Sequence, residues 1–300
     1  MTKAAPTVNF LSTKPKMKSI ISCTDGSVYA PSIYDHTAWA AKQTGAAVHV
    51  LHMLDPNLSR RRTADLSGNL GPDSGGELLN EMVRFEEMKN RVARERGKVV
   101  LNEAKRHLAE SGVSAVTVEQ RTGALVEAVE KMEQDSDLVV IGKRGEAADF
   151  AAGHLGSNLE RVIRASVNPV LVASRKYEPI KSFVLAYDGG PSVTKAIRFA
   201  AREPLLKGLE CHLLRAGNVD DKAKWYLEEA AGSLRDAGFV VHVRAIPGDP
   251  DKIIAETIRN ENLQLLVMGA YGHSRIRQLV VGSTTTAMIR SCLVPVLVFR

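Results

Sequence analysis

The chain has 300 residues, 44% hydrophobic and 25% charged, and its 40 basic and 34 acidic side chains leave a net charge of +6. That length suits two domains of about 150 residues, and no apolar run is long enough for a membrane span. The basic excess is small and dispersed, without a helix-turn-helix pattern, zinc spacing or aromatic–basic stripe, so nucleic acid is not an expected partner.

Residues 1–17 carry Pro6, Pro15, Lys14 and Lys16 and no signal-peptide core, and read as a mobile tail. A first domain is expected over 18–175. It opens with an apolar strand, Ile20-Ile21-Ser22-Cys23-Thr24, that ends in Asp25-Gly26. A helix around Thr37-Ala38-Trp39-Ala40-Ala41 and a strand at 48–53 follow. Residues 55–76, rich in Pro, Gly, Ser and Arg, read as an inserted loop. Its Arg60-Arg61-Arg62 run reads first as solvated surface and second as a contact for an anionic partner. A charged helix over 77–111, a strand at 115–119, a helix after Gly123, and a strand leading into Gly142 complete the pattern. Val170-Leu171-Val172 closes the domain, and a linker at about 174–181 contains Pro179.

A second domain, 182–300, repeats this order. Val184-Leu185-Ala186-Tyr187-Asp188-Gly189 matches the first strand and its Asp-Gly ending. Strands at 211–216, 240–245 and 263–268 follow, and Pro295-Val296-Leu297-Val298 matches Pro169-Val170-Leu171-Val172 at a shift of 126. The duplication organises the chain. Alternating strands and helices predict an α/β fold: two tandem open parallel five-stranded sheets flanked by helices on both faces.

The chemistry-bearing pattern lies between the fourth strand and its helix. In the second half it reads Gly269-x2-Gly272-x9-Gly282-Ser283-Thr284, and in the first Gly142-x2-Gly145-x10-Gly156-Ser157. Glycines between a strand and a helix N-terminus let backbone N–H groups approach a phosphate, and hydroxyls at the helix start add donors. The glycines also read as tight-turn residues, Ser283 and Thr284 as caps, and Asp188 as a cap of the following helix. Cys23, Cys211 and Cys292 have no paired or metal spacing; Cys23 and Cys211 fall on predicted strands and read as buried thiols in a reducing compartment. The histidines suggest no metal site: His49 and His52 alternate across a strand, and His273 reads as a surface residue or a phosphate contact. No P-loop, catalytic triad or zinc-protease motif is present.

Asp-Gly after the first strand, the glycine pattern after the fourth and the Pro-Val-Leu-Val ending, each found twice, resemble the universal stress protein family in a tandem arrangement. The resemblance implies a Rossmann-like sheet of the adenine nucleotide alpha hydrolase type. It implies that the final strands pair as a pseudo-twofold dimer within the molecule, with pairing between chains left open. It also implies ATP, with Mg²⁺ carried on the polyphosphate, at the strand ends of the second half. Asp188, Ala216, Met268 and Gly269 would then line the adenosine part, and Gly272, Gly282, Ser283 and Thr284 would hold the phosphates. Asp25, Gly142, Gly145, Gly156 and Ser157 form a weaker counterpart. There the loop is one residue longer and carries Lys143, Arg144, Glu146 and Asp149; the acids repel phosphate, whereas Lys143 or Arg144 would attract it. Met268 reads as core on its residue type alone. The expected role is a cytoplasmic stress or signalling module whose occupancy a protein partner reads. A slow ATPase or autophosphorylating enzyme, and a nucleotide-free scaffold, are the alternatives.

Overall fold

A computed structural model describes residues 17–54, 75–143, 157–270 and 283–300; for residues 75–79, 157, 283 and 284 it describes the backbone alone. The expected tail, except Met17, and most of the expected inserted loop lie outside these residues. Met17 itself is buried against the core.

Each half runs strand, helix, four times and ends in a strand. The first comprises β1 (Ser19–Thr24), α1 (Ala30–Thr44), β2 (Ala47–Leu54), α2 (Gly75–Glu110), β3 (Val116–Thr122), α3 (Leu125–Met132), β4 (Leu138–Gly142), α4 (Ser157–Ala165) and β5 (Val170–Ala173). The second comprises β6 (Ser182–Ala186), α5 (Pro191–Arg202), β7 (Glu210–Gly217), α6 (Asp221–Asp236), β8 (Val241–Pro247), α7 (Pro250–Asn260), β9 (Leu265–Gly269), α8 (Ser283–Ser291) and β10 (Val296–Phe299).

All six residues of β1 are buried, as a strand covered on both faces requires. By contrast β3 and β8 alternate between half-buried and exposed positions along their length. They are the two edges of one ten-stranded sheet ordered β3-β2-β1-β4-β5-β10-β9-β6-β7-β8. Each half supplies five parallel strands. The halves join through the antiparallel pair β5–β10, with Leu171 opposite Leu297. Exchanging the halves leaves the strand order unchanged, which is the signature of a two-fold interface. The closing strands, apolar and unprotected if left as edges, cover one another at the centre of the sheet. The pseudo-twofold pairing expected of the duplication is therefore present, and it fuses the two five-stranded sheets into one.

Both main clusters of buried side chains draw on both halves. One includes Leu171, Phe183 and Leu297, and the other Val139, Val172, Leu266 and Val298. Lys143, a candidate anion holder by sequence, lies at this seam instead. Its ammonium donates to the carbonyl of Cys292 and, at 3.1 Å, to that of Val294. Burial pushes its pKa down to about 8. Helix C-terminal carbonyls lack intrahelical partners, and a lysine reaching across the seam satisfies one here.

His36 also lies near the seam, fully buried. Its Nδ1 is 2.6 Å from the Ser32 carbonyl and its Nε2 3.3 Å from the Ser174 hydroxyl. Burial pushes the imidazole from 6.5 down to about 4, against the carbonyl contact, which pulls it up. The unfolded chain therefore binds this proton at a higher pH than the folded chain does. The contribution is complete above pH 6.5 and is lost as pH falls toward 4, by roughly 3 kcal/mol. Urea midpoints at pH 7 and 4.5 should differ accordingly, and His36→Gln should reduce the difference.

All three cysteines are buried and free. Burial raises the Cys23 and Cys211 thiols to about 12, which makes them inert. Among the described residues no helix is long and apolar enough to cross a membrane.

Candidate functional site

In an open α/β sheet the crevice lies outside the carboxyl ends of strands where the order reverses. In the second half β6 lies between β7 and β9, so the reversal falls between β6 and β9. The described sequence candidates of this half lie at the carboxyl ends of β6, β7 and β9.

Past the end of β6, Asp188 is half-buried and accepts a 2.8 Å hydrogen bond from the Gly190 amide. It does not cap α5. The cap position is Gly190 itself, without a side-chain bond. Asp188 instead holds a tight turn through Gly189, whose φ of +78° suits glycine. Ala216 is half-buried near the end of β7.

Met268 is only 5% exposed and packs in the core, so its side chain is structural. Gly269, next along β9, is constrained by close approach. A Cβ there would lie 2.9 Å from the Ser192 Cβ and 3.4 Å from the Val193 nitrogen. Helix α8 then begins at Ser283. Its Thr285 is buried and donates to the carbonyls of Gly269 and Ala270 at 3.2 and 3.1 Å. One hydroxyl thus fastens the start of α8 to the end of β9. Gly272 and Gly282 lie outside the described residues, as do the side chains of Ser283 and Thr284.

Three further residues surround this crevice and were not evident from motifs. Thr285 is one, hidden inside a run of hydroxyl residues. Arg215 is the second; its Nη1 stands 3.8 Å from the Cβ position of Gly189, and its Nε donates to the Asn218 carbonyl at 3.1 Å. Burial raises the Tyr187 phenol, while the neighbouring Arg215 guanidinium lowers it. Tyr226 of α6 is the third, 43% exposed and within electrostatic reach of Tyr187. A cation thus flanks the Asp188 turn, and an exposed aromatic ring lies within electrostatic reach of the preceding Tyr187. No local motif announces them, because neighbouring strand ends and a helix bring them together.

The first half builds the same frame but fills it. Asp25 accepts from the Ser27 amide at 3.0 Å, and Gly26 has φ of +71°. A shift of 126 aligns α2 with α6 and brings buried Leu101, Ala104 and Leu108 onto buried Leu227, Ala230 and Leu234. Val100 then occupies the place of Tyr226. Its Cγ2 lies only 2.4 Å from where a Gly26 Cβ would stand. At the position of Arg215 stands His52, buried, with Nδ1 3.0 Å from the Thr24 carbonyl. Above Gly189 the nearest side-chain atoms, of Arg215 and Tyr187, stand at ordinary contact distances of 3.8 and 4.0 Å, whereas above Gly26 Val100 closes in. Gly142 ends β4 and is half-buried, while Gly145, Gly156 and the Ser157 side chain lie outside the described residues.

The universal stress protein family model matches residues 16–174 and again 179–300. The chain belongs to the universal stress protein family. Two consecutive matches make it a tandem universal stress protein. A universal stress protein of Synechocystis sp. is 39% identical over 287 residues, covering 95% of this chain and all of that relative. Among solved structures, a universal stress protein from Archaeoglobus fulgidus superposes with a TM-score of 0.70 at 22% identity, covering 94% of this chain and 98% of that one. Another, from Pseudomonas aeruginosa, gives 0.59 at 15% identity, covering 94% and 93%. At such identities these two structures bear on the fold, and they share it over both halves of the tandem.

Proposed function

We propose that this tandem universal stress protein is a cytoplasmic ATP-binding module of the stress response, with one nucleotide held in the second half. The contrast between Gly189 and Gly26 carries this reading. The same Asp-Gly turn meets the ends of the Arg215 and Tyr187 side chains at ordinary contact distance, 3.8 and 4.0 Å, in one half, and is crowded by the Val100 side chain in the other.

Asp188 presents a carboxylate, fixed by the Gly190 amide, to hydroxyl or amino donors of the adenosine part. Ala216 leaves room for a flat base, and Tyr226 offers a ring for it to stack on. Gly269 contributes backbone only, as does Met268. The glycine loop with Gly272 and Gly282 and the N-terminus of α8 with Ser283 and Thr284 would bind the polyphosphate through N–H groups, hydroxyls and the helix dipole. Arg215 adds a positive charge nearby. Mg²⁺ would travel on the phosphates. Occupancy would order the glycine loop, and a protein partner would read that difference.

Asp188→Ala removes a charged hydrogen-bond acceptor, so ATP affinity measured by equilibrium dialysis should fall about 10- to 100-fold. Asp25→Ala, its counterpart under Val100, should leave affinity unchanged. Equal losses in the two variants would defeat the assignment to one half.

A further inference from the structure

At the opposite end of the second-half sheet, three metal-capable side chains meet, two of them, Glu210 and His242, in hydrogen-bond contact. Glu210 and His212 are two apart on β7 and share one face of the sheet. The parallel register sets His242 of β8 directly beside His212. Their ligand atoms all lie within 4.8 Å of one another. Glu210 Oε1 is 2.5 Å from His242 Nε2 and 3.9 Å from His212 Nε2. Bonds of about 2.1 Å to a tetrahedral ion separate its ligands by about 3.4 Å, a value these two distances straddle.

His212 differs from the other buried histidines. His36 and His52 each place a ring nitrogen against a backbone carbonyl. His212 is 8% exposed, and its Nδ1 is buried with no hydrogen-bond partner. The opposite ring nitrogen, Nε2, is the one turned toward Glu210. The two imidazoles are also stacked, with centroids 4.8 Å apart at 35°. The adjacent cation, Arg244, is paired at 2.6 Å with Glu261.

We infer that Glu210, His212 and His242 form a site for a borderline divalent ion of the Zn²⁺ class, with a fourth position open to solvent. The first half supplies an internal comparison. Its corresponding positions are Ala47, His49 and Thr117, and His49 is engaged with the Thr117 hydroxyl. One histidine of the set remains there, without the carboxylate or the second imidazole.

The test titrates Zn²⁺ into the chelator-stripped full chain against a chromogenic chelator, with Co²⁺ absorption reporting the ligand field. One equivalent should bind per chain. His242→Ala and Glu210→Gln, both at exposed positions, should each weaken it by at least ~100-fold, the upper range for losing an outer-shell group. Circular dichroism checks that they remain folded. Asp188→Ala should bind Zn²⁺ like the parent chain, which separates this site from the nucleotide crevice. Ala47→Glu with Thr117→His should add a second equivalent. Binding of Zn²⁺ by the parent chain no tighter than by His242→Ala, or stoichiometric binding that persists unweakened in both ligand variants, would overturn the assignment.

Discussion

Leu171→Ala is expected to lower the unfolding free energy by about 3–5 kcal/mol, with both halves still unfolding in one transition. Leu171 is fully buried in β5 and faces Leu297 of β10 across the strand pair that joins the halves. Removing a buried leucine side chain loses transfer free energy and leaves a cavity that a central strand has little freedom to collapse. The two core clusters each contain residues of both halves, so the damage is shared. The chain carries two tryptophans, one in each half: Trp39 in α1 and Trp225 in α6. Single-tryptophan variants therefore read each half separately. Coincident urea midpoints, displaced together by Leu171→Ala, are the expected outcome. Separate midpoints would show that the continuous sheet does not unite the halves energetically.

Gly269→Val is expected to weaken ATP binding by at least ~100-fold and to destabilise the chain by about 1–3 kcal/mol. The first added atom would already lie 2.9 Å from the Ser192 Cβ and 3.4 Å from a backbone nitrogen of α5. Neither neighbour is the tip of a flexible side chain, so β9 and α5 must separate. That movement would also pull the Gly269 carbonyl from Thr285, which fastens α8 to the strand. A phosphate cradle depends on donors fixed to within about 0.5 Å, so binding should fall by more than stability alone predicts. Measured side by side, thermal unfolding and ATP dialysis distinguish these effects. A variant that loses stability but binds ATP normally would show that the end of β9 does not shape the site.

Much of this fold was legible because duplication repeats the signals. Asp25-Gly26 and Asp188-Gly189, and the two Pro-Val-Leu-Val segments, marked corresponding strands without reference to structure. The apolar closing strands also required a cover, and a duplicated chain supplies one internally. The glycine spacing pointed to the end of the fourth strand, where Gly269 closes β9, since turn and helix-cap chemistry is local in sequence. What surrounds the crevice was not legible. Arg215 reaches the Asp188 turn from a neighbouring strand, Tyr226 comes within electrostatic reach of Tyr187 from a helix, and Val100 reaches Gly26 from α2. Such contacts depend on strand order and helix placement, which periodicity does not encode. Lys143 stood in a loop that suggested an anion, yet its ammonium crosses the seam to carbonyls 149 and 151 residues away. Met268 followed its residue type into the core. His212 and His242, 30 residues apart, became neighbours only through the register of β7 and β8.

With the space above Gly26 taken by Val100, the proposed function rests on a single nucleotide, held in the second half. Its most direct test is the nucleotide stoichiometry of the full chain, measured by saturating it with ATP and quantifying bound nucleotide after denaturation. One ATP per chain, lost in Asp188→Ala and retained in Asp25→Ala, is expected. Two per chain, or one that survives Asp188→Ala, would contradict it.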